Sequence, residues 1–288
     1  MILVTGASGT VGGAVAAELA GSKVPFRALY RSQADAPAAR GIDVVIADFA
    51  DKPSLDRALQ NIDTVFLVCS PVRELVELES NMIEAAERAG VERVVLNSAL
   101  GAGDYSKSFP SWHRKVEDKL KASGLEYTIL RPNSFMQNVL AYYAPTIRTQ
   151  GAFYAAMGNA RVSYIDVRDV AAVAARALTS REHVGETYEL NGPEAVTYSE
   201  LARRISRAAG REVQYADLLV EQQRQAMLSQ HMPEWQVTAL LDLQAYYTGG
   251  QGGDADRVIQ RIIGRPPRGL DDFLAEFADR FRAGSGQT

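Results

Sequence analysis

Only one cysteine, Cys69, occurs in 288 residues, so an intrachain disulfide is excluded. The three histidines, His113, His183 and His231, lie far apart, which leaves no spacing for a structural zinc site; no metal is expected. Blocks of Lys or Arg are absent, and a formal net charge of −4 provides no footprint for nucleic acid or for an anionic membrane surface. No apolar run approaches the roughly 20 residues of a membrane span. The first strand begins at Ile2, which leaves no room ahead of it for a signal peptide. These absences create the expectation of a soluble cytoplasmic protein without nucleic-acid or membrane partners. With 47% hydrophobic and 23% charged residues, the remainder is ordinary for a globular chain that buries one large core or two modest ones.

The first half alternates short β-rich runs with helical patterns. Strands are expected at Ile2–Thr5, Phe26–Tyr30, Val44–Ala47, Thr64–Val68, Arg93–Asn97 and Tyr127–Arg131. Between them, Val11, Val15 and Leu19 form one helical stripe, and Leu75, Leu78, Met82 and Ile83 form another, stopped by Gly90. This order predicts an α/β fold: a Rossmann-type, doubly wound parallel sheet that binds ligand at the carboxyl ends of its strands.

The second half is less regular. Asp166 can cap a helix running through Leu178, and Thr197-Tyr198-Ser199-Glu200 has the form of a capping box. Gly249–Gly253 reads as a flexible turn and Leu270–Phe281 as a last amphipathic helix, with a disordered tail at Ala283–Thr288. The expected organisation is a dinucleotide-binding domain over 1–150, with 160–182 returning to it. A smaller, mostly helical lobe over 183–288 is expected to cover the cofactor edge.

The densest signal is Gly6-Ala7-Ser8-Gly9-Thr10-Val11-Gly12, between the first strand and an Ala-rich helix. Gly6 allows the tight turn, Gly9 lets a pyrophosphate approach the backbone, and Gly12 lets helix and strand pack closely. Gly6, Ser8, Gly9, Thr10, Val11 and Gly12 are therefore the candidate phosphate cradle, at a positive helix end. A further absence follows at the end of the second strand. An NAD-selective site offers an acid there for the ribose hydroxyls, and this chain has Arg31-Ser32 instead. Arg31 can pair with a 2′-phosphate or be a solvated strand-end residue. The balance predicts NADPH, with NADH possible. Asp48 can accept from an adenine amino group or cap the next helix, and Phe49 can wall the ring. Cys69-Ser70-Pro71 is placed beside the nicotinamide-side ribose, with Cys69 a small buried hydrophobe rather than a nucleophile.

The cradle, Arg31, Asp48-Phe49 and the stretch from His113 to Gly124-Leu125-Glu126-Tyr127-Thr128-Ile129-Leu130-Arg131-Pro132 resemble the atypical short-chain dehydrogenase/reductases, above all the NmrA-like group. That group includes quinone, azo-dye and triphenylmethane reductases and an NADP-sensing regulator. The resemblance implies that Pro132, Asn133, Ser134 and Phe135 hold the nicotinamide carboxamide and that Ser98 matches the family's usual catalytic serine. It also places Phe109 where the family's tyrosine stands and His113 where its lysine stands, so the usual proton donor is missing. His113 can contact cofactor or substrate, serve as an acid near neutrality, or sit on the helix surface paired with Glu117. Met136, Tyr142, Tyr143, Trp235, Tyr246 and Tyr247 are candidate walls of an aromatic substrate cavity. The expected activity is hydride transfer from NAD(P)H to a small conjugated aromatic or quinone-like substrate. The rival is an NAD(P) sensor without turnover. Substrate identity and oligomeric state are not written in these motifs.

Overall fold

The computed structural model describes residues 1–36 and 42–282; the tail 283–288 lies outside the described residues. The chain begins with β1 (Ile2–Val4), α1 (Thr10–Gly21), β2 (Phe26–Tyr30), β3 (Asp43–Ile46), α2 (Lys52–Ala58) and β4 (Thr64–Leu67). It continues with α3 (Leu75–Ala89), β5 (Arg93–Asn97), α4 (Ser108–Ala122) and β6 (Glu126–Pro132). Next come α5 (Met136–Asn138), α6 (Ala144–Gln150), β7 (Ala152–Ala155), β8 (Arg161–Val162), α7 (Val167–Thr179) and β9 (Thr187–Leu190). The last stretch holds β10 (Val196–Thr197), α8 (Tyr198–Ala209), β11 (Gln214–Asp217), α9 (Val220–Ser229), α10 (Glu234–Thr248), α11 (Val258–Ile263) and α12 (Leu270–Glu276).

Two compact units result, Met1–Pro132 with Val167–Leu190, and Asn133–Asp166 with Asn191–Thr288. The division differs from the expected one. The chain leaves the first unit at Pro132 rather than near 150, and it returns not only with α7 but also with β9.

The first unit is a seven-stranded parallel sheet of order β3-β2-β1-β4-β5-β6-β9. Its inner strands β1, β4 and β5 are buried along their whole length, which is why they read as apolar runs rather than as alternation. The seventh strand escaped the sequence reading because Thr187-Tyr188-Glu189-Leu190 is an edge strand in which only Leu190 is buried. The Ala-rich helices α1 and α7 pack against each other. The order reverses between β1 and β4, the switch point where such sheets bind ligands. There the Thr5 hydroxyl accepts from Val68 N at 2.9 Å and donates to the Phe66 or Val68 carbonyl, each at 3.0 Å, which ties the two strand ends together.

The second unit holds the two-stranded pairs β8–β10 and β7–β11 among its helices. The expected capping box forms at α8, where Glu200 N donates to Thr197 Oγ1 at 3.1 Å and Thr197 N to Glu200 Oε2 at 2.8 Å. Two expectations are corrected here. The Gly249–Gly253 turn is pinned rather than free, because the Gly252 carbonyl accepts from Ser163 N at 2.9 Å and from Asn133 Nδ2 at 3.0 Å. The last helix stops at Glu276 and gives way to a 3₁₀ turn at Ala278–Arg280, beyond which Phe281 is buried.

Candidate active site

The glycine cradle lies at the switch point. Gly6 has φ +58°, and a Cβ on it would meet Val68 Cγ1 at 2.9 Å. On Gly12 a Cβ would fall 2.3 Å from the Gly6 carbonyl oxygen and 2.5 Å from that of Thr5, so only glycine lets α1 lie this close to β1. Gly9 is the extended N-cap of α1, which has neither a side-chain cap nor an acidic residue in its first turn. The first-turn N–H groups of that helix therefore have no partner in their own helix, and Ser8, Gly9 and Thr10 are exposed beside them. Such an end suits a diphosphate, so the residues present fit a dinucleotide.

Around the cradle, the ends of β2, β3 and β4 carry the expected residues. Arg31 is exposed and forms no hydrogen bond or ion pair with a described residue, which leaves its guanidinium free for an anion. Ser32 donates to Asp35 at 2.8 Å. Asp48 is half-buried, and its Oδ1 accepts from Ala50 N at 2.9 Å. It closes this turn and does not cap α2, whose N-cap is Asp51. Phe49 is buried in the core, and its carbonyl accepts from Asn81 Nδ2 at 3.0 Å. Cys69 is half-buried, and burial pushes its thiol up to about 12, which keeps it protonated. Ser70 and Pro71 are exposed. Sequence reasoning passed over Glu79, which sits with Leu75, Met82 and Ile83 on the buried stripe of α3. A carboxylate on that stripe was the signal.

At the end of β5, Ser98 Oγ donates to Glu117 Oε1 at 2.6 Å. Glu117 is fully buried and also takes a two-point contact from Arg131, Nε to Oε1 at 2.9 Å and Nη2 to Oε2 at 2.7 Å. Arg131 and the Ser98 hydroxyl hold the Glu117 carboxyl below the usual range against the opposing effect of burial. The Ser98 proton is thus engaged inside the unit, so the hydroxyl that matches the family's catalytic serine donates to Glu117. Glu117 is likewise no surface partner for His113. The His113 Nδ1 is buried without a partner, and burial lowers the imidazole to about 4. The ring is therefore neutral near pH 7, which corrects the expectation of titration near neutrality. Phe109, one turn earlier on α4, meets Trp112 edge-on with ring centroids 5.1 Å apart. The expected kinetic result is a rate profile with no inflection between about pH 6 and 8 that disappears in His113→Ala. A limb in that window present in the native chain and absent in the variant would restore His113 as an acid.

In the second unit, the Asn133 side chain is fully occupied. Its Nδ2 donates to Asn191 Oδ1 at 2.9 Å and to the Gly252 carbonyl, and its Oδ1 accepts from Ser134 N at 2.7 Å and Tyr247 OH at 3.1 Å. Any contact from Asn133 to a ligand is therefore left to its backbone. Pro132 is buried, and Ser134 and Phe135 are half-buried. Met136 has no accessible surface, and Tyr246 and Tyr247 are buried. Tyr143 packs on Phe153 and bonds to the Tyr198 hydroxyl at 3.0 Å. Met136, Tyr246 and Tyr247 are thus core, whereas Tyr143 is half-buried and keeps some surface. Trp235 is half-buried and Tyr142 is 64% exposed, so both keep surface for a ligand.

A cleft of about 510 Å³ opens at the opposite end of the sheet, at the starts of β5 and β6, between Glu92, Glu126 and Arg181. It is remote from the carboxyl strand ends where this architecture binds ligands.

The model of the NmrA-like family matches residues 1–264. The chain belongs to the NmrA-like family. Among its relatives, an NAD(P)H azoreductase of Xenophilus azovorans is 37% identical over 286 residues, 98% of this chain and 100% of that protein. A (4-alkanoyl-5-oxo-2,5-dihydrofuran-3-yl)methyl phosphate reductase of Streptomyces griseus is 37% identical over 284 residues, 98% of this chain and 99% of that protein. Among solved structures, the NADPH-dependent quinone oxidoreductase of Escherichia coli complexed with NADPH matches with a TM-score of 0.89 at 31% identity, covering 96% of this chain and 99% of that one. Among the described residues of this NmrA-like chain there is no helix long and apolar enough to cross a membrane, and no acidic, cysteine or histidine cluster that could hold a metal ion.

Proposed function

We propose that this chain is an NAD(P)H-dependent oxidoreductase that transfers hydride to a flat conjugated acceptor. One observation carries the acceptor class: every proton donor that the wider dehydrogenase pattern would supply is missing or engaged. Phe109 has no proton to give, the Ser98 hydroxyl donates to Glu117, and His113 is neutral. Hydride addition to a simple ketone leaves a localised alkoxide that needs such a donor. Addition to a quinone or another conjugated acceptor leaves charge that is spread over the molecule, and water completes the protonation. The names of the relatives point the same way, toward an azo compound, a quinone and a dihydrofuranone phosphate. Those relatives match over nearly the whole chain and are named as reductases, so the sensor reading is not favoured.

A nicotinamide cofactor bound here supplies the hydride. The chain's own residues bind and orient it. The open N-terminus of α1 and Ser8–Gly12 take the diphosphate, Arg31 takes the 2′-phosphate, and Asp48 and Phe49 flank the adenine. Ser70 and Pro71 lie along the second ribose; in the second unit, the backbone of Asn133–Phe135 is the candidate for the carboxamide, and Tyr142 and Trp235 are the candidates for the acceptor. The free Cys69 and the net charge of −4 agree with a cytoplasmic enzyme that does not bind nucleic acid.

The test is anaerobic NADPH oxidation against a quinone, an azo dye and a saturated ketone. Turnover with the first two and none with the ketone is expected; reduction of the ketone alone would overturn the proposal. In the same assay Arg31→Ala should raise the Kd for NADPH about ten- to a hundredfold, the scale of a charge-assisted hydrogen bond, and leave NADH unchanged. Equal losses for both cofactors would remove Arg31 from the 2′-phosphate.

A further inference from the structure

Asn133, Asn191 and Asp256 form a line of hydrogen bonds inside the second unit. Asn133 Nδ2 donates to Asn191 Oδ1 at 2.9 Å, and Asn191 Nδ2 donates to Asp256 Oδ2 at 2.9 Å. The other Asp256 oxygen accepts from Val258 N at 2.9 Å, at the start of α11. Asn133 and Asn191 are each only 3% exposed, so water offers neither amide a substitute partner.

The line has a direction, and Asp256 sets it. A carboxylate only accepts, so Asn191 turns its NH2 group toward Asp256 and its oxygen toward Asn133. Asn133 then has to answer with its own NH2 group, which leaves Oδ1 on the far side. That oxygen accepts from Ser134 N at 2.7 Å and from Tyr247 OH at 3.1 Å.

The same short stretch is held a second time by its backbone. The Ser134 carbonyl accepts from Ile165 N at 2.9 Å, and Met136 N donates to the Ile165 carbonyl at 2.8 Å, which makes Phe135 and Ile165 a parallel bridge. Because a peptide unit is planar and trans, the Phe135 N–H points opposite to the Ser134 carbonyl, away from Ile165. It has no hydrogen-bond partner among the described residues, and Phe135 is only half-buried. One rigid peptide thus presents one free donor.

We propose that Asp256, Asn191 and Tyr247 are positioning residues for the nicotinamide end of the cofactor: through Asn133 they fix the Ser134–Phe135 peptide, whose free N–H takes the carboxamide oxygen. The proposal rests on the reading of Asn133–Phe135 as the seat of the carboxamide. The three residues act through Asn133 and not by contact with the cofactor. A fixed carboxamide fixes the ring, and a displacement of about 1 Å at the reacting carbon is enough to slow transfer.

The experiment compares, in the full chain, the Kd for NADPH with the Kd for 2′-phospho-ADP-ribose, which ends at the second ribose and has no nicotinamide; kcat and KM for NADPH are measured with a quinone. The native chain should bind NADPH the more tightly. Asn191→Val has no polar atom to pass the bond on, so it should raise the Kd for NADPH about tenfold, leave that for 2′-phospho-ADP-ribose within about twofold and lower kcat. Tyr247→Phe, which loses only a hydroxyl and keeps the ring in the core, should show the same selectivity at about threefold. Asp256→Ala should repeat the selective loss and add nothing to Asn191→Val, because both act along one line. Equal losses for the two ligands, an unchanged NADPH Kd in folded Tyr247→Phe, or additive losses for Asp256→Ala and Asn191→Val would each overturn the proposal. Equal native affinity for the two ligands would overturn the seat of the carboxamide as well, and native failure to bind either would overturn the cradle; both are distinct from native selectivity that the variants leave unchanged.

Discussion

Replacing Gly9 by Asp should abolish NADPH binding while leaving the protein at least as stable as before. Gly9 is the N-cap of α1, with φ −89° and ψ 173°, a conformation that Asp adopts readily. A Cβ there meets only the Gly6 carbonyl oxygen, at 3.3 Å, so a small adjustment accommodates the side chain. The new carboxylate would accept from the first-turn N–H groups and complement the helix dipole, together worth about 0.5–1 kcal/mol of stability. Those same N–H groups are the proposed seat of the diphosphate, and the added charge repels it. A loss of at least about a hundredfold in affinity, roughly 3 kcal/mol, should accompany an unchanged or raised melting temperature. Opposite signs for binding and stability are the diagnostic feature. Gly12 cannot provide this separation, because a Cβ there strikes backbone at 2.3 Å and would disturb fold and site together. Retained NADPH affinity in a folded Gly9→Asp protein would sink the cradle assignment.

Arg131→Met should destabilise the protein by about 3–5 kcal/mol, because it leaves the Glu117 carboxylate buried with only the Ser98 hydroxyl and a 3.6 Å contact to Lys121. Removing both charges, in Arg131→Met with Glu117→Leu, should recover most of that loss, since the desolvation of the unpaired ion disappears. The sign of the pH dependence is also set. In the native chain the Glu117 carboxyl is held below its ordinary value, so its contribution is present above that value and is lost as pH falls through the lowered one. In Arg131→Met the carboxylate loses its main support, and protonation then relieves the penalty. The gap between the two proteins should therefore narrow on going from about pH 8 to pH 5, measured by urea denaturation. A constant gap, or a double variant no better than the single one, would show that Arg131 acts through packing alone.

The sequence by itself determined the sheet and the cradle. Both are local: β1, β4 and β5 are buried on both faces and so read as short apolar runs, and glycine spacing records a backbone clash within a few residues of chain. The missing acid after β2 and the missing tyrosine on α4 were legible for the same reason, as residue types at fixed offsets from those elements. Only the tertiary structure decided what depends on distant partners. Ser98, Glu117 and Arg131 come from the end of β5, from α4 and from β6, and their meeting engages the hydroxyl that the resemblance matched to a catalytic serine in an internal contact. Burial, which no local pattern measures, moved His113 out of the neutral range and left Glu79 without a partner. It also took Met136 out of the expected substrate wall and left exposed Tyr142 as a candidate, because positions on one segment face different surroundings. The edge strand β9 belongs here too, since its polar residues become a strand only by pairing with β6, 50-odd residues earlier in the chain. Local backbone geometry leaves its mark in residue order, whereas a side chain's protonation and partners are set by whatever the fold packs around it.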